Sequence, residues 1–303
     1  MNTATLPTTI PQYLEQLRRA LSDADPAMVQ DALYDAEEYL RSELAESPGR
    51  TEAEVITAVA GSYGAPEEVA DIYRDTEVRV QTALRVPPPR PHRSWLGRFF
   101  GVAAEPRAYA ALFYMLLSLA TGIFYFTWVV TGVSVSAGLL ILIIGVPLLI
   151  LFVGSTRVLA LVEGRLVEVM LGERMPRRPL YSAQGKPWLE RIKDMFTDPR
   201  TWGTFLYMLL MMPLGIAYFT VAATMTTVAL SLIALPVLLA LGYESHVHLD
   251  GVLLTGDVAV WESVLAMVIG ALLLFVTLHV ARGIGYLHGQ LAKHLLVKGS
   301  RAV

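Results

Sequence analysis

The stretch whose residue types and spacing best suit a ligand is Glu244-Ser245-His246-Val247-His248-Leu249-Asp250. In an extended backbone, alternate side chains share a face. Glu244, His246, His248 and Asp250 would then project together. Two imidazoles and two carboxylates suit a divalent metal such as zinc, or a pH response through histidine titration. An ordinary polar loop is the competing reading of the same residues. No other cofactor is expected. His279 stands inside an apolar run, where ionisable groups are costly and often functional; the competing reading is a hydrogen bond to a neighbouring helix. Arg157, Glu163 and Arg282 fall near the ends of apolar runs, where their heads could reach lipid headgroups, and are read as anchors. The sequence has no Walker motif, HExxH, nucleophile elbow or Gly-rich dinucleotide loop, so no catalytic residue is assigned and an enzyme is not expected. Cysteine is absent, which excludes disulfides and thiolate chemistry.

These residues must be positioned by a very apolar chain. It has 303 residues, of which 54% are hydrophobic and 17% charged. Its mean hydropathy is +0.49. Soluble domains carry about 25% charged residues. Residues 108–162 are almost uninterrupted apolar sequence, and one crossing needs about 20 such residues. Crossings are expected at 108–131, 135–161, 201–224 and 262–284. Basic residues cluster before the first, between the second and third, and after the last, whereas 242–261 has none. The positive-inside rule then puts both termini and the middle loop in the cytoplasm of a multi-pass bacterial inner-membrane protein. Thr226–Leu241 extends the third helix outward or re-enters as a half-helix; a fifth crossing would strand the basic C-terminus outside. Pro147 and Pro213 are expected to kink their helices. Small and hydroxylated residues, among them Gly122, Gly132, Gly138, Gly145, Gly215 and Gly270, suit close helix contact. The N-terminus has neither a basic start nor an apolar core, so no cleavable signal peptide is expected.

The fold class expected is all-α: a small soluble helical bundle joined to a transmembrane bundle built from two tandem repeats. Residues 1–84 form the soluble domain. Residues 85–106 form a Pro/Arg-rich linker with an interfacial segment, Ser94–Phe100, for which a short helix packed on protein is the alternative. Residues 107–303 form the membrane domain, with repeats at 107–197 and 198–303. The N-domain reads as four helices. The first spans about Pro11–Leu21. The second is capped by Asp25 with Pro26 at its first position, and the third opens on a capping box of Thr51 and Glu54. The fourth starts at Pro66 and buries Val69, Ile72 and Tyr73. Sixteen acids against six bases give residues 1–84 a net charge of −10, and the remainder carries +7. The acidic block argues against direct nucleic-acid binding, which needs Lys and Arg, and suits a basic protein partner. A well-solvated helical surface is the other reading.

The repeat is carried by an offset of 93 residues. Glu105-Pro106-Arg107 matches Asp198-Pro199-Arg200, Tyr114-Met115-Leu116-Leu117 matches Tyr207-Met208-Leu209-Leu210, and Gly122 and Tyr125-Phe126-Thr127 match Gly215 and Tyr218-Phe219-Thr220. The copies end alike at an offset of 125, where Arg157 and Gly164 match Arg282 and Gly289.

Two resemblances follow. YLEQLRRAL, DAEEYLRSEL and GSYGAPEEVADIYRD, over about Pro11–Asp75, resemble the HAAS family of helical signalling domains. Its turn into the last helix is matched by Gly64, Pro66, Glu67 and Glu68. Residues from about Arg107 to Val297 resemble the sensor domain found ahead of many bacterial histidine kinases, through Ser118–Phe126, Met212–Phe219, LLILIIGVPLLIL and TDPRTW. The first resemblance implies a link to PadR-like winged-helix regulators, and the second implies signal reception. No kinase is expected after the membrane region. The expected function is a non-enzymatic inner-membrane protein that senses an envelope or lipid signal and relays it to a cytoplasmic winged-helix regulator through the acidic N-domain. The alternatives are a transporter or lipid-handling protein and a structural component of an envelope complex. Expected partners are the lipid bilayer, that regulator and, as an open alternative, further copies of the chain.

Overall fold

Local chemistry starts each N-terminal helix in a computed structural model that describes residues 7–84, 94–142, 145–176, 193, 197–242, 246–249, 252–255 and 260–297. Helix α1 (Ile10–Ala20) is capped by Thr9, whose side chain accepts from the Gln12 amide. Helix α2 (Pro26–Glu46) is capped by Asp25 on the Ala27 amide. Both halves of the Thr51/Glu54 box are formed at the start of α3 (Glu52–Ser62), and α4 (Pro66–Leu84) follows. Tyr13, Leu17, Leu21, Ala36, Leu40, Ile56 and Val69 lie in one buried core. The Tyr13 hydroxyl donates to the Gly64 carbonyl at 2.8 Å, and Gly64 has a φ of +115° that favours glycine. The Tyr73 hydroxyl donates to Asp35 at 2.8 Å. Burial and that carboxylate push its pKa up, so it remains a neutral donor. Ile72, expected in the core, is 59% exposed. The buried face of α4 runs through Val69, Ala70 and Tyr73, and at 100° per residue Ile72 falls well outside it.

A short helix α5 (Trp95–Gly101) and a 3-10 turn (Val102–Ala104) lead into α6 (Pro106–Leu139). Then come α7 (Gly145–Leu171), α8 (Pro199–Ala240) and α9 (Val260–Leu296). All four long helices are long and apolar enough to cross a membrane, as a multi-pass protein requires. The first reversal is not at 131–135, as expected. Helix α6 continues to Leu139 and a 3-10 turn spans Leu140–Leu142. Gly132 and Gly138 do not break α6, because lipid offers no substitute for intrahelical hydrogen bonds. A side chain on Gly145 would lie 2.6 Å from the Leu139 carbonyl oxygen, so the start of α7 lies close against the end of α6. Pro147 sits in the first turn of α7, where its missing N–H costs no intrahelical bond, and no kink is needed. Pro213 and Pro236 do lie within α8. That helix is continuous through Thr226–Ala240 and has 42 residues, so the segment extends the third crossing. Its length of about 63 Å is about twice a hydrocarbon core. A hairpin of β1 (His246–Leu249) and β2 (Val252–Thr255) pairs antiparallel, with His246 opposite Thr255 and His248 opposite Leu253.

The chain forms two compact units. Met1–Pro88, Val130–Tyr207 and Gln290–Val303 make the first. Here Phe152 of α7 stacks on Phe205 of α8 at 5.7 Å, and Gly203 lies against the Leu295 carbonyl. Pro89–Val129 and Met208–Gly289 make the second. In it, Gly122 of α6 abuts the Met211 carbonyl of α8, and Gly215 of α8 abuts the Ser118 carbonyl of α6. Gly122 and Ser118 correspond to Gly215 and Met211 at the 93-residue offset, so one contact is made in both directions. Helix α5 rests on α9 through Phe99, Phe100 and Phe275, with Trp95 outward.

Candidate functional site

Within the first unit, the ends of two membrane helices present cations to the acidic face of α2 and α4. Gly172, with a φ of +78°, follows the last residue of α7, and its amide donates to the Glu168 carbonyl. The chain then turns and brings Arg174 to Asp31 of α2, at 3.7 Å, and into contact with Glu77 of α4. The three side chains are only 19%, 9% and 15% exposed. From the last turn of α9, where the helix dipole favours a cation, Lys293 donates to Asp25 at 2.6 Å. Asp25 thus caps α2 with one carboxylate oxygen and holds Lys293 with the other. Being partly buried, these pairs are screened by salt less than exposed surface pairs are.

A cleft in the same unit is lined by Arg157 and Gly164 of α7, Met175, Asp198, Arg200, Thr201 and Thr204 at the start of α8, and Leu296. Asp198 accepts from the Arg200 amide at 3.1 Å. Arg157 donates to the Thr201 hydroxyl at 3.2 Å and lies 3.8 Å from Asp198. Arg200 Nε donates to the Leu296 carbonyl at 2.9 Å.

Among the described residues, two buried polar side-chain pairs lie within the long helices. In the first unit the Tyr207 hydroxyl donates to Glu163 at 2.8 Å. In the second, the Tyr114 hydroxyl and His288 Nε2 are 2.7 Å apart, and Tyr218 meets the same imidazole edge-on. Tyr114 matches Tyr207 at the 93-residue offset, and Glu163 matches His288 at 125. Each tyrosine therefore bonds a side chain from the other half of the sequence. His288 escaped the sequence reading, although the second offset already aligned it with Glu163. Tyr207→Phe is expected to cost about 1–3 kcal/mol, because Glu163 stays buried after losing a donor. Thermal unfolding in detergent checks this, and a melting temperature matching wild type would contradict it.

This geometry corrects one expected anchor and gives the other two protein partners. Glu163 is fully buried and bonded rather than reaching outward. Arg282 pairs with Glu105 at 2.8 Å, and Arg157 bonds the start of α8. A charge near an apolar boundary is stabilised by a partner across helices when one is in reach. His279 bonds the Phe99 carbonyl of α5 at 3.0 Å and stacks on the Phe99 ring. Its role is a neighbour contact. His246 and His248 occupy positions two apart in β1, while Glu244 and Asp250 lie outside the described residues. Among the described residues no group of three His, Asp or Glu could hold a metal. The zinc proposal therefore stands on spacing. Calorimetry is expected to show zinc binding that is lost in His246→Ala/His248→Ala; equal heats for both proteins would remove it.

No curated protein and no solved structure matches the chain. Residues 12–71 match the HAAS family, which covers α1 to the first turns of α4. Residues 114–296, more than half of the chain and reaching from within α6 to the end of α9, match the family described as Putative sensor. With four apolar helices behind a helical signalling module, the chain belongs to that sensor family and carries a HAAS domain at its N-terminal side.

Proposed function

We propose that this membrane signalling protein is a non-enzymatic relay. The membrane helices respond to an envelope or lipid signal, and the acidic N-domain passes it to a basic cytoplasmic partner, a PadR-like winged-helix regulator. One observation carries the reading. Asp25, Asp31 and Glu77 of the N-domain are held by Lys293 and Arg174 at the ends of α9 and α7. A shift at either helix end changes these pairs directly. It would release carboxylates that a basic DNA-reading surface could then engage. The pairs also require the N-domain and the ends of α7 and α9 to share one membrane face, and the positive-inside rule makes that face the cytoplasmic one. Glu67, Glu68, Asp71 and Asp75 are exposed and add to the acidic surface.

The test is capture from lysate by the full-length protein in nanodiscs, with wild type compared against Arg174→Glu/Lys293→Glu. The variant is expected to recover more of a DNA-binding regulator, and to lose it at high salt as an electrostatic contact must. Equal recovery by both proteins, or no such regulator with either, would remove the relay.

A further inference from the structure

We propose that the cleft between α7 and the start of α8 is a binding site for the phosphate of an anionic phospholipid. Its volume is about 60 Å³, several times the roughly 10–15 Å³ that one water needs, so a group of phosphate size fits. Two guanidinium groups and two hydroxyls line it, against one carboxylate. That balance is net positive. Arg157 spends one nitrogen on Thr201, and Arg200 spends Nε on the Leu296 carbonyl. Their remaining N–H donors are not hydrogen-bonded among the described residues. Guanidinium is the side chain best matched to phosphate oxygens. Ala160, Leu161, Met175 and Leu296 supply an apolar border, as the chain portion of a lipid at the membrane boundary requires.

The chain contains its own comparison. At the 93-residue offset, Asp198, Arg200, Thr201 and Thr204 correspond to Glu105, Arg107, Ala108 and Ala111, and at 125 Arg157 corresponds to Arg282. In that other copy the acid and arginine close to 2.8 Å, and Ala108 is buried in an apolar cluster with Val102 and Leu278. In the cleft, the equivalent pair is parted to 3.8 Å and methyl groups give way to hydroxyls. One copy is sealed by an ion pair and apolar packing; the other parts its acid and arginine and sets two threonine hydroxyls in the lining.

Asp31 lies within electrostatic reach of Arg200, and it is also the α2 partner of Arg174. A bound phosphate would compete with Asp31 for positive charge and weaken the hold on α2. This consequence rests on the relay proposed above; the binding does not.

The experiment uses full-length protein reconstituted in vesicles of phosphatidylcholine with phosphatidylglycerol, re-extracted and weighed by native mass spectrometry. Retained phosphatidylglycerol is expected to exceed phosphatidylcholine, and to fall about tenfold or more in Arg157→Gln/Arg200→Gln, since charged hydrogen bonds are lost. Thr201→Ala/Thr204→Ala, which installs the residues of the other copy, is expected to lower retention while the protein stays folded. Arg282→Gln should leave it unchanged. Inorganic phosphate at millimolar concentration separates the two sources of the anion, and lipid retained in its presence supports the lipid. Equal retention of both lipids, unchanged retention in both cleft variants, or displacement by inorganic phosphate would overturn the proposal. Hydrogen exchange of α2 in the same vesicles reads the relay separately. Lipid retained without a change at α2 would sink the relay and leave the site standing.

Discussion

Gly122→Val is expected to prevent the membrane helices from assembling into a stable bundle. An added Cβ at Gly122 would lie 2.9 Å from the Met211 carbonyl carbon and closer still to its oxygen. The obstacle is backbone, so no rotamer change relieves it, and α6 and α8 must separate. Overpacking typically costs about 1–3 kcal/mol. Here the cost should be at the top of that range or above, because the donor-free contact is repeated at Gly215 against the Ser118 carbonyl and separating the helices loosens both. Small residues of this kind let membrane helices approach closely when no hydrophobic force drives them together. Gly138→Ala is the control, since nothing lies within 4 Å of a Cβ there. The measurement is thermal unfolding followed by size-exclusion in detergent. Loss of the transition in Gly122→Val with Gly138→Ala near wild type is the expected pattern. A melting temperature within a few degrees of wild type for Gly122→Val would show that the contact can yield.

Arg174→Ala is expected to free α2 and α4 from the membrane helices without unfolding either. The substitution leaves Asp31 and Glu77, both largely buried, without the guanidinium that faces them. Removing one partner of a buried pair costs about 3–5 kcal/mol, because the other charge stays behind. The N-domain keeps its own core of Tyr13, Leu17, Leu40 and Ile56, so the loss should fall on the attachment. Amide exchange in the full-length protein should rise on the faces of α2 and α4 that carry Asp31 and Glu77, while the α1–α3 core stays protected. Arg174→Lys should recover only part of the protection, since an ammonium cannot fork between two carboxylates. Unchanged exchange in Arg174→Ala would show that Lys293 and apolar contacts suffice to hold the domain.

Much of the architecture was legible because its causes are local. Asp25-Pro26, the Thr51/Glu54 box and Pro66 each decide a helix start within a few residues, and they lie where expected. The four apolar runs were legible because crossing a bilayer demands length and hydrophobicity in one contiguous stretch. Boundaries were less so. The first crossing was expected to end at 131, yet α6 runs on to Leu139, because leaving the helix within an apolar phase strands backbone groups. Glu163 was misread as an anchor because an apolar boundary does not reveal whether a charge turns outward or meets a tyrosine 44 residues away.

By itself the sequence determined the helix starts, the four membrane-length runs, the acidic and basic halves, and the family resemblances that the matches bear out. All of these follow from neighbours along the chain or from sums over it. Tertiary structure alone decided which acid meets which base. Asp25 and Lys293 are 268 residues apart, and nothing local to either selects the other. It also decided that Tyr207 bonds Glu163 and Tyr114 bonds His288. The offsets aligned these residues within their copies, but a hydrogen bond is chosen by distance and direction in the packed state.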